Sequence, residues 1–294
     1  MLQEGLYEQV IHELLAKQLE HDTQFDKVVD SIDEAEAFQV LTAYVSEVLQ
    51  KGLFHLQGSK ESLKAQIALC NDIIALVRKA TCDAQYEPSA IDDRAQQLLA
   101  LFHKQNSPYA LTKESIPRPV TSLSASSLFT GSVHEPRLHV EFQKEIQSSD
   151  RIDMLVSFIK WSGLRLIWEA LQTFAGRGGV LRVITTSYMG ATDARAIEAL
   201  SSLPGAKIRI SYDTRHTRLH AKTYVFHRHT GFSTAYIGSA NLSGAALSEG
   251  LEWNMKVTAH DLPSTMRKID ATFESYWHAD EFELFTLEHQ DRLR

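Results

Sequence analysis

Residues 218–252 hold the side chains best suited to chemistry. His220 and Lys222 stand two apart in 219–226, a run that reads as a β-strand and so sends both from one face. Gly238-Ser239-Ala240-Asn241 follows as a turn after a further strand, and Glu252 comes next. A nucleophile, a cation, small polar donors and an orienting carboxylate are the parts that attack on a phosphodiester requires. An ammonium beside an imidazole disfavours the imidazolium unless an anion lies between them, which suits a bound phosphate. In this reading Gly238 lets the backbone approach the phosphate. Lys222, Ser239 and Asn241 hold its oxygens. A carboxylate at Glu252 is placed to accept from Nδ1 of His220, fixing the tautomer that leaves Nε2 free to attack. Glu249, three residues earlier, is the rival acid. Histidines 216, 220, 227 and 229 cluster in sequence, but across a turn and a strand, and no cysteine joins them. Zinc is therefore a poor fit, and no cofactor is expected.

Charge points the same way. The chain has 294 residues and a net charge of −7, yet residues 1–100 alone carry 17 acidic against 8 basic side chains. Between 207 and 229 the balance reverses, with Lys207, Arg209, Arg215, Arg218, Lys222 and Arg228 against Asp213. A basic strip on an acidic protein suits a phosphate-bearing partner, and Arg215 and Arg218 are candidates for steering a nucleic-acid backbone. The alternative is a solvated basic face. No apolar run approaches the roughly 20 residues of a membrane span. The acidic start, Met1-Leu-Gln-Glu-Gly5, does not read as a secretory signal. Cys70 and Cys82 are too few for a disulfide scaffold, so a cytoplasmic location is expected.

The elements that must position these residues divide in three. Residues 1–104 read as an acidic all-α domain. Leu6, Tyr7, Val10, Ile11, Leu14 and Leu15 form one helical stripe. Ser31 with Glu34 fits a capping box before an apolar-periodic run from 37 to 49 that stops before Gly52. Ser59 could cap a third helix carrying Leu63, Ile67, Ile73 and Val77, and Ser89 a fourth carrying Leu98, Leu99 and Phe102. Residues 105–137, with Pro108, Pro117, Pro119, Pro136 and a Ser/Thr-rich stretch, read as a linker. From 138 to 294 strands and helices alternate, with strands expected near 152–158, 180–186, 208–212, 219–226, 234–237 and 251–257. That pattern implies an α/β fold, a mixed, largely parallel sheet flanked by helices, with antiparallel additions late in the chain.

The order His220-x-Lys222, Gly238-Ser239-x-Asn241 and Glu252 resembles the HKD motif of the phospholipase D superfamily. That motif has an aspartate where this chain has His227. Further segments are similar to the N-terminal region of bacterial DEAD/DEAH-box helicases, in which a phospholipase D-like nuclease domain precedes the motor. They are Gly5-Leu-Tyr-Glu-Gln9, Leu155-Val-Ser-Phe-Ile-Lys-Trp-Ser-Gly-Leu-Arg165, Thr185-Thr-Ser-Tyr-Met-Gly-Ala-Thr-Asp193 and Gly250-Leu-Glu-Trp-Asn254. No Gly-x4-Gly-Lys-Ser/Thr phosphate loop occurs in the sequence, so an ATP motor is not expected in it. The resemblance implies a phospholipase D-like fold and metal-independent cleavage through a phosphohistidine. It also implies a linked or separate helicase partner, in restriction or phage defence. Superfamily chemistry uses two motifs face to face, one histidine attacking phosphorus and the other protonating the leaving oxygen. This chain has one His-x-Lys, so a homodimer is expected, acting on DNA in preference to RNA. Two other readings stand beside it. One is a catalytically weakened nucleic-acid-binding module of a helicase. The other is a phospholipase, which the lack of a basic amphipathic helix disfavours.

Overall fold

The computed structural model describes residues 3–58, 61–82, 90–101, 117–212 and 219–293. The chain divides into two compact units, Met1–His103 and Lys104–Arg294.

Among its described residues the first unit contains three α-helices, α1 (Glu13–His21), α2 (Ala37–His55) and α3 (Ser62–Thr81). Local side-chain bonds place their ends where hydrophobic periodicity does not. His12 caps α1, its Nδ1 accepting from Leu15 N at 3.2 Å, so Leu6, Tyr7, Val10 and Ile11 fall outside the helix. Asp33 Oδ1 accepts from Ala35 N at 2.8 Å, a turn that delays α2 until Ala37 and leaves Ser31 and Glu34 out of its cap. α2 then runs through Gly52 to His55. The expected fourth helix is absent from residues 90–101. There Asn71 accepts from Ile91 N (2.8 Å) and donates to its carbonyl (3.1 Å), while Asp92 accepts from Arg94 N (2.9 Å). These bonds hold a turn in place of a helix. Ser59, Ser89 and Phe102 lie outside the described residues.

The second unit is an eight-stranded mixed sheet flanked by helices. Its strands are β1 (Ser127–Phe129), β2 (Arg151–Val156), β3 (Val180–Thr186), β4 (Ala206–Ser211), β5 (Lys222–His227), β6 (Thr234–Gly238), β7 (Asn254–Thr258) and β8 (Phe282–Leu284), in the order β1-β7-β6-β5-β2-β3-β4-β8. Its helices are α4 (Leu138–Gln147), α5 (Trp161–Gly176), α6 (Ala194–Ser201), α7 (Gly244–Ser248) and α8 (Pro263–Trp277). Among the named strands, β2–β3 and β3–β4 pair in parallel, with α5 and α6 supplying the crossovers. The other pairings are antiparallel, so the sheet is less parallel than the sequence suggests. The connection from β5 to β6 is too short for a crossover unit, which forces the reversal there, while β6 returns to β7 antiparallel through α7.

The main core lies on one face of the sheet. Phe142 of α4 inserts among Tyr224, Phe226 and Tyr236, with ring centroids 4.7, 5.4 and 5.0 Å away. α8 covers part of the other face, packing Phe273 and Trp277 on Leu155 and Ile184, and Met266 on Val225, Ala235 and Val257. Residues 117–137, read from sequence as the end of a linker, are built into this unit. Glu141 of α4 accepts from Val120 N (2.8 Å) and Thr121 N (3.0 Å), Ser126 N donates to Asp261 (3.0 Å), and β1 pairs with β7. Beneath them Lys256 and Arg228 are buried against Glu145 at 2.9 and 2.5 Å. Alternation alone could not separate these interior charges from surface ones. Among the described residues no helix is long and apolar enough to cross a membrane.

Candidate active site

The site is built where β5 begins and β6 ends. His220 lies just before β5 and not on it, with its side chain exposed. Ala221 is tied to the sheet, its carbonyl accepting from Ser157 N (3.0 Å) and Ser157 Oγ (3.2 Å), and this sets where His220 emerges. Among the described residues the His220 ring makes no hydrogen bond. Lys222, the first residue of β5, shares its inward face with Tyr224 and Phe226 and is only 6% exposed. Its Nζ donates to the His220 carbonyl at 2.9 Å, and among the described residues it forms no ion pair. Burial holds its pKa below the usual lysine range, partly offset by the charge of Glu252. A buried ammonium with no carboxylate in contact is set up to receive an anion.

Strand pairing brings the Gly-Ser-x-Asn turn to the same place. Gly238 pairs with Asn254, and a Cβ at 238 would sit 2.0 Å from Trp253 O and 2.6 Å from Asn254 Oδ1. Only glycine lets these backbones approach so closely. Ser239 N donates to Trp253 O (3.0 Å), and Trp253 N donates to Ser239 Oγ (3.1 Å). The Ser239 hydroxyl donates to Glu252. Both donors of Ser239 are thus engaged, and its part here is to hold Glu252, not to offer a free hydroxyl to phosphate. Asn241 is different. Its Oδ1 accepts from Phe158 N at 3.2 Å, which assigns the amide and leaves its NH2 for a ligand.

Glu252 therefore bonds Ser239 and makes no hydrogen bond with His220, contrary to the sequence expectation. Its charge does reach the site: it raises the pKa of Lys222 and, after burial, that of Tyr224. A cavity of about 40 Å³ borders it, lined also by Gly131, Arg137 and Asn254. Glu249 ends α7, exposed, its side chain without a hydrogen bond among the described residues. Two supports were missed from sequence. Asn254 Oδ1 accepts from Ala240 N (3.3 Å) and Tyr224 OH donates to Ala240 O (3.1 Å), so Ala240 is clamped from both sides. The signal was their parity: Tyr224 lies two beyond Lys222, and Asn254 two beyond Glu252.

Among the described residues, part of the basic strip is drawn into the fold. Arg228 is buried on Glu145, and Arg209 packs over Trp277 at 5.4 Å and donates to Phe282 O at 2.6 Å. Arg215, Arg218 and His216 lie outside the described residues. His227, at the far end of β5, faces away from Lys222. Its Nε2 is 2.8 Å from Asp153 Oδ2, in a cluster with Arg151, Arg182 and Glu274. Burial pushes the Asp153 carboxyl up, but bonds from Arg182 and His227 hold it below its usual range overall. Among the described residues no three His, Cys, Asp or Glu side chains gather as a metal site.

Residues 143–277 match the family model described as Cardiolipin synthase, PLD-like domain. This stretch is similar to a phospholipase D-like domain. The matched residues include His220, Lys222, the 238–241 turn and Glu252. Similar solved structures include NucT from Helicobacter pylori, at 20% identity and TM-score 0.43, covering 55% of this chain and 99% of that one. Nuc from Salmonella typhimurium, a phospholipase D family member, is similar at 20% identity and TM-score 0.39, with the same coverage. The phosphatidylserine synthase of Haemophilus influenzae is similar at 12% identity and TM-score 0.39, covering 58% of this chain and 41% of that one. No curated protein matches the chain in sequence.

Proposed function

We propose that the second unit is a phosphodiesterase that cleaves nucleic acid, DNA in the first place, through a phosphohistidine and without a metal ion. The observation that carries this reading is Lys222, buried, donating to the His220 carbonyl and, among the described residues, without an ion pair, together with a His220 ring and an Asn241 NH2 that make no hydrogen bond among those residues. Lys222 and Asn241 bind the non-bridging oxygens and stabilise the charge that builds on them. Nε2 of His220 attacks phosphorus and the bond to the leaving oxygen breaks. A second imidazole, from His220 of another copy of the chain, gives that oxygen its proton. The same imidazole then takes a proton from water, whose oxygen attacks phosphorus and frees His220. Glu252, held by Ser239, adds negative charge on the Lys222 side of the site. The reading of a weakened binding module gains no support from His227, which faces an ion cluster away from Lys222. A helicase partner and a defence role rest on the sequence resemblance alone and are tested by co-purification with a helicase.

The decisive experiment incubates the purified chain with plasmid and single-stranded DNA in EDTA and measures its mass in solution. Cleavage by the wild type, its loss in His220→Ala and a dimer mass are expected. Full cleavage by His220→Ala would sink the assignment.

A further inference from the structure

The turn that carries Asn241 leaves the ladder between β6 and β7 after Ser239, and from there side chains of other strands hold it. Tyr224 of β5 donates its hydroxyl to Ala240 O at 3.1 Å, and Asn254 of β7 accepts from Ala240 N at 3.3 Å. The Ala240 carbonyl belongs to the peptide plane that joins Ala240 to Asn241, so the phenol fixes the plane from which the Asn241 side chain springs. The only other hold on that side chain among the described residues is at its far end, where Oδ1 accepts from Phe158 N at 3.2 Å.

β5 places the phenol for this task. Lys222 and Tyr224 leave the same face of the strand, two residues and about 6–7 Å apart. One strand therefore carries the ammonium itself and governs the amide through a hydroxyl. The phenol is fixed in its turn: it is 1% exposed and its ring packs on Phe142 with centroids 4.7 Å apart. Burial pushes its pKa up, so it remains a neutral donor. Tyr236, its partner across β6 and as deeply buried, sends its hydroxyl elsewhere, to Glu145 of α4 at 2.8 Å. We propose that Tyr224 is a positioning residue: its hydroxyl, acting through the Ala240 carbonyl, sets the direction in which the Asn241 amide meets the phosphate. The inference rests on the phosphodiesterase reading, in which Asn241 binds a non-bridging oxygen, and adds a residue to it. Without the hydroxyl the Ala240 plane is free to turn. The amide then still reaches the bound phosphate, but it no longer meets the oxygen squarely as charge builds there.

The test is a double-mutant cycle on cleavage of a labelled oligonucleotide in EDTA, run well below every variant's melting temperature. Tyr224→Phe deletes the hydroxyl and keeps the ring. It should lower kcat by about 10- to 100-fold and change KM by less than about threefold. In an Asn241→Ala background the same change should cost nothing more, because the amide it positions is gone. Tyr236→Phe controls for the loss of a buried hydroxyl; it should lower the melting temperature and leave kcat at the wild-type value. An undiminished kcat in Tyr224→Phe overturns the proposal, and so does a loss that persists in full in the Asn241→Ala background. An equal fall of kcat in Tyr236→Phe also overturns it, since the effect would then be a general loosening of the core. Failure of the underlying reading shows separately: Asn241→Ala alone would then cleave as well as the wild type.

Discussion

Lys222 carries a conflict between stability and function that can be measured. The residue is 6% exposed, its ammonium has one hydrogen bond, to the His220 carbonyl at 2.9 Å, and burial lowers its pKa. A lysine whose folded pKa lies below its unfolded value costs stability at every pH below the folded pKa. That cost fades as pH rises through it towards the ordinary lysine range. Lys222→Met keeps the stem packed and removes the charge. Replacing a poorly compensated buried charge is worth about 1 kcal/mol or more, or about 2–4 °C in melting temperature for a unit of this size. If the ammonium binds the phosphate, the same change removes about 10²- to 10³-fold in kcat. Inorganic phosphate should raise the melting temperature of the wild type and leave the variant unmoved. Calorimetry with and without phosphate, alongside cleavage of a labelled oligonucleotide, reads all three. A variant that melts lower would show that Lys222 is a structural counter-charge. Activity within threefold of wild type would show that it does not hold the phosphate.

Two further predictions concern the frame of the site. In Gly238→Ala the new Cβ meets Trp253 O at 2.0 Å, so the turn must shift; urea unfolding should show a loss of about 1–3 kcal/mol, with activity falling too. Asp153 has a folded pKa below its unfolded value, so its contribution is full above the ordinary carboxylate range and is lost as pH falls through the folded pKa. Melting temperatures from pH 7 to pH 3 should therefore fall less steeply for Asp153→Asn than for wild type, from a lower starting point at pH 7.

The strands around the site were legible because β3, β5 and β6 are short runs rich in β-branched and aromatic residues, bounded by turn residues. β1 was not, because three residues in a Ser-rich stretch carry no periodicity, and only pairing with β7 defines them. α4 escaped because its inward face holds Glu141 and Glu145, which read as solvent-facing until Lys256 and Arg228 are seen against Glu145. In the site, residue types were legible and hydrogen-bond partners were not. Ser239 and Glu252 were both identified, but their bond to each other depends on how β6 and β7 register, which no spacing reveals.

The arrangement also bears on how many copies of the chain a complete reaction needs. Phosphodiester cleavage through His220 requires an acid for the leaving oxygen, and the neighbours described here do not supply one. Tyr224 points the right way, but burial pushes its phenol well above the usual range, and its OH is committed to Ala240 O at 3.1 Å. Glu252 already accepts from the Ser239 hydroxyl. His227 is bonded to Asp153 beyond the reach of the turn, on the face away from Lys222. Lys222 itself would lose, on giving up its proton, the charge that binds the phosphate. Each local donor is thus either too weak an acid, already engaged, or needed charged. An imidazole can both give and take the proton, and the economical source of a second one is His220 of another copy of the chain.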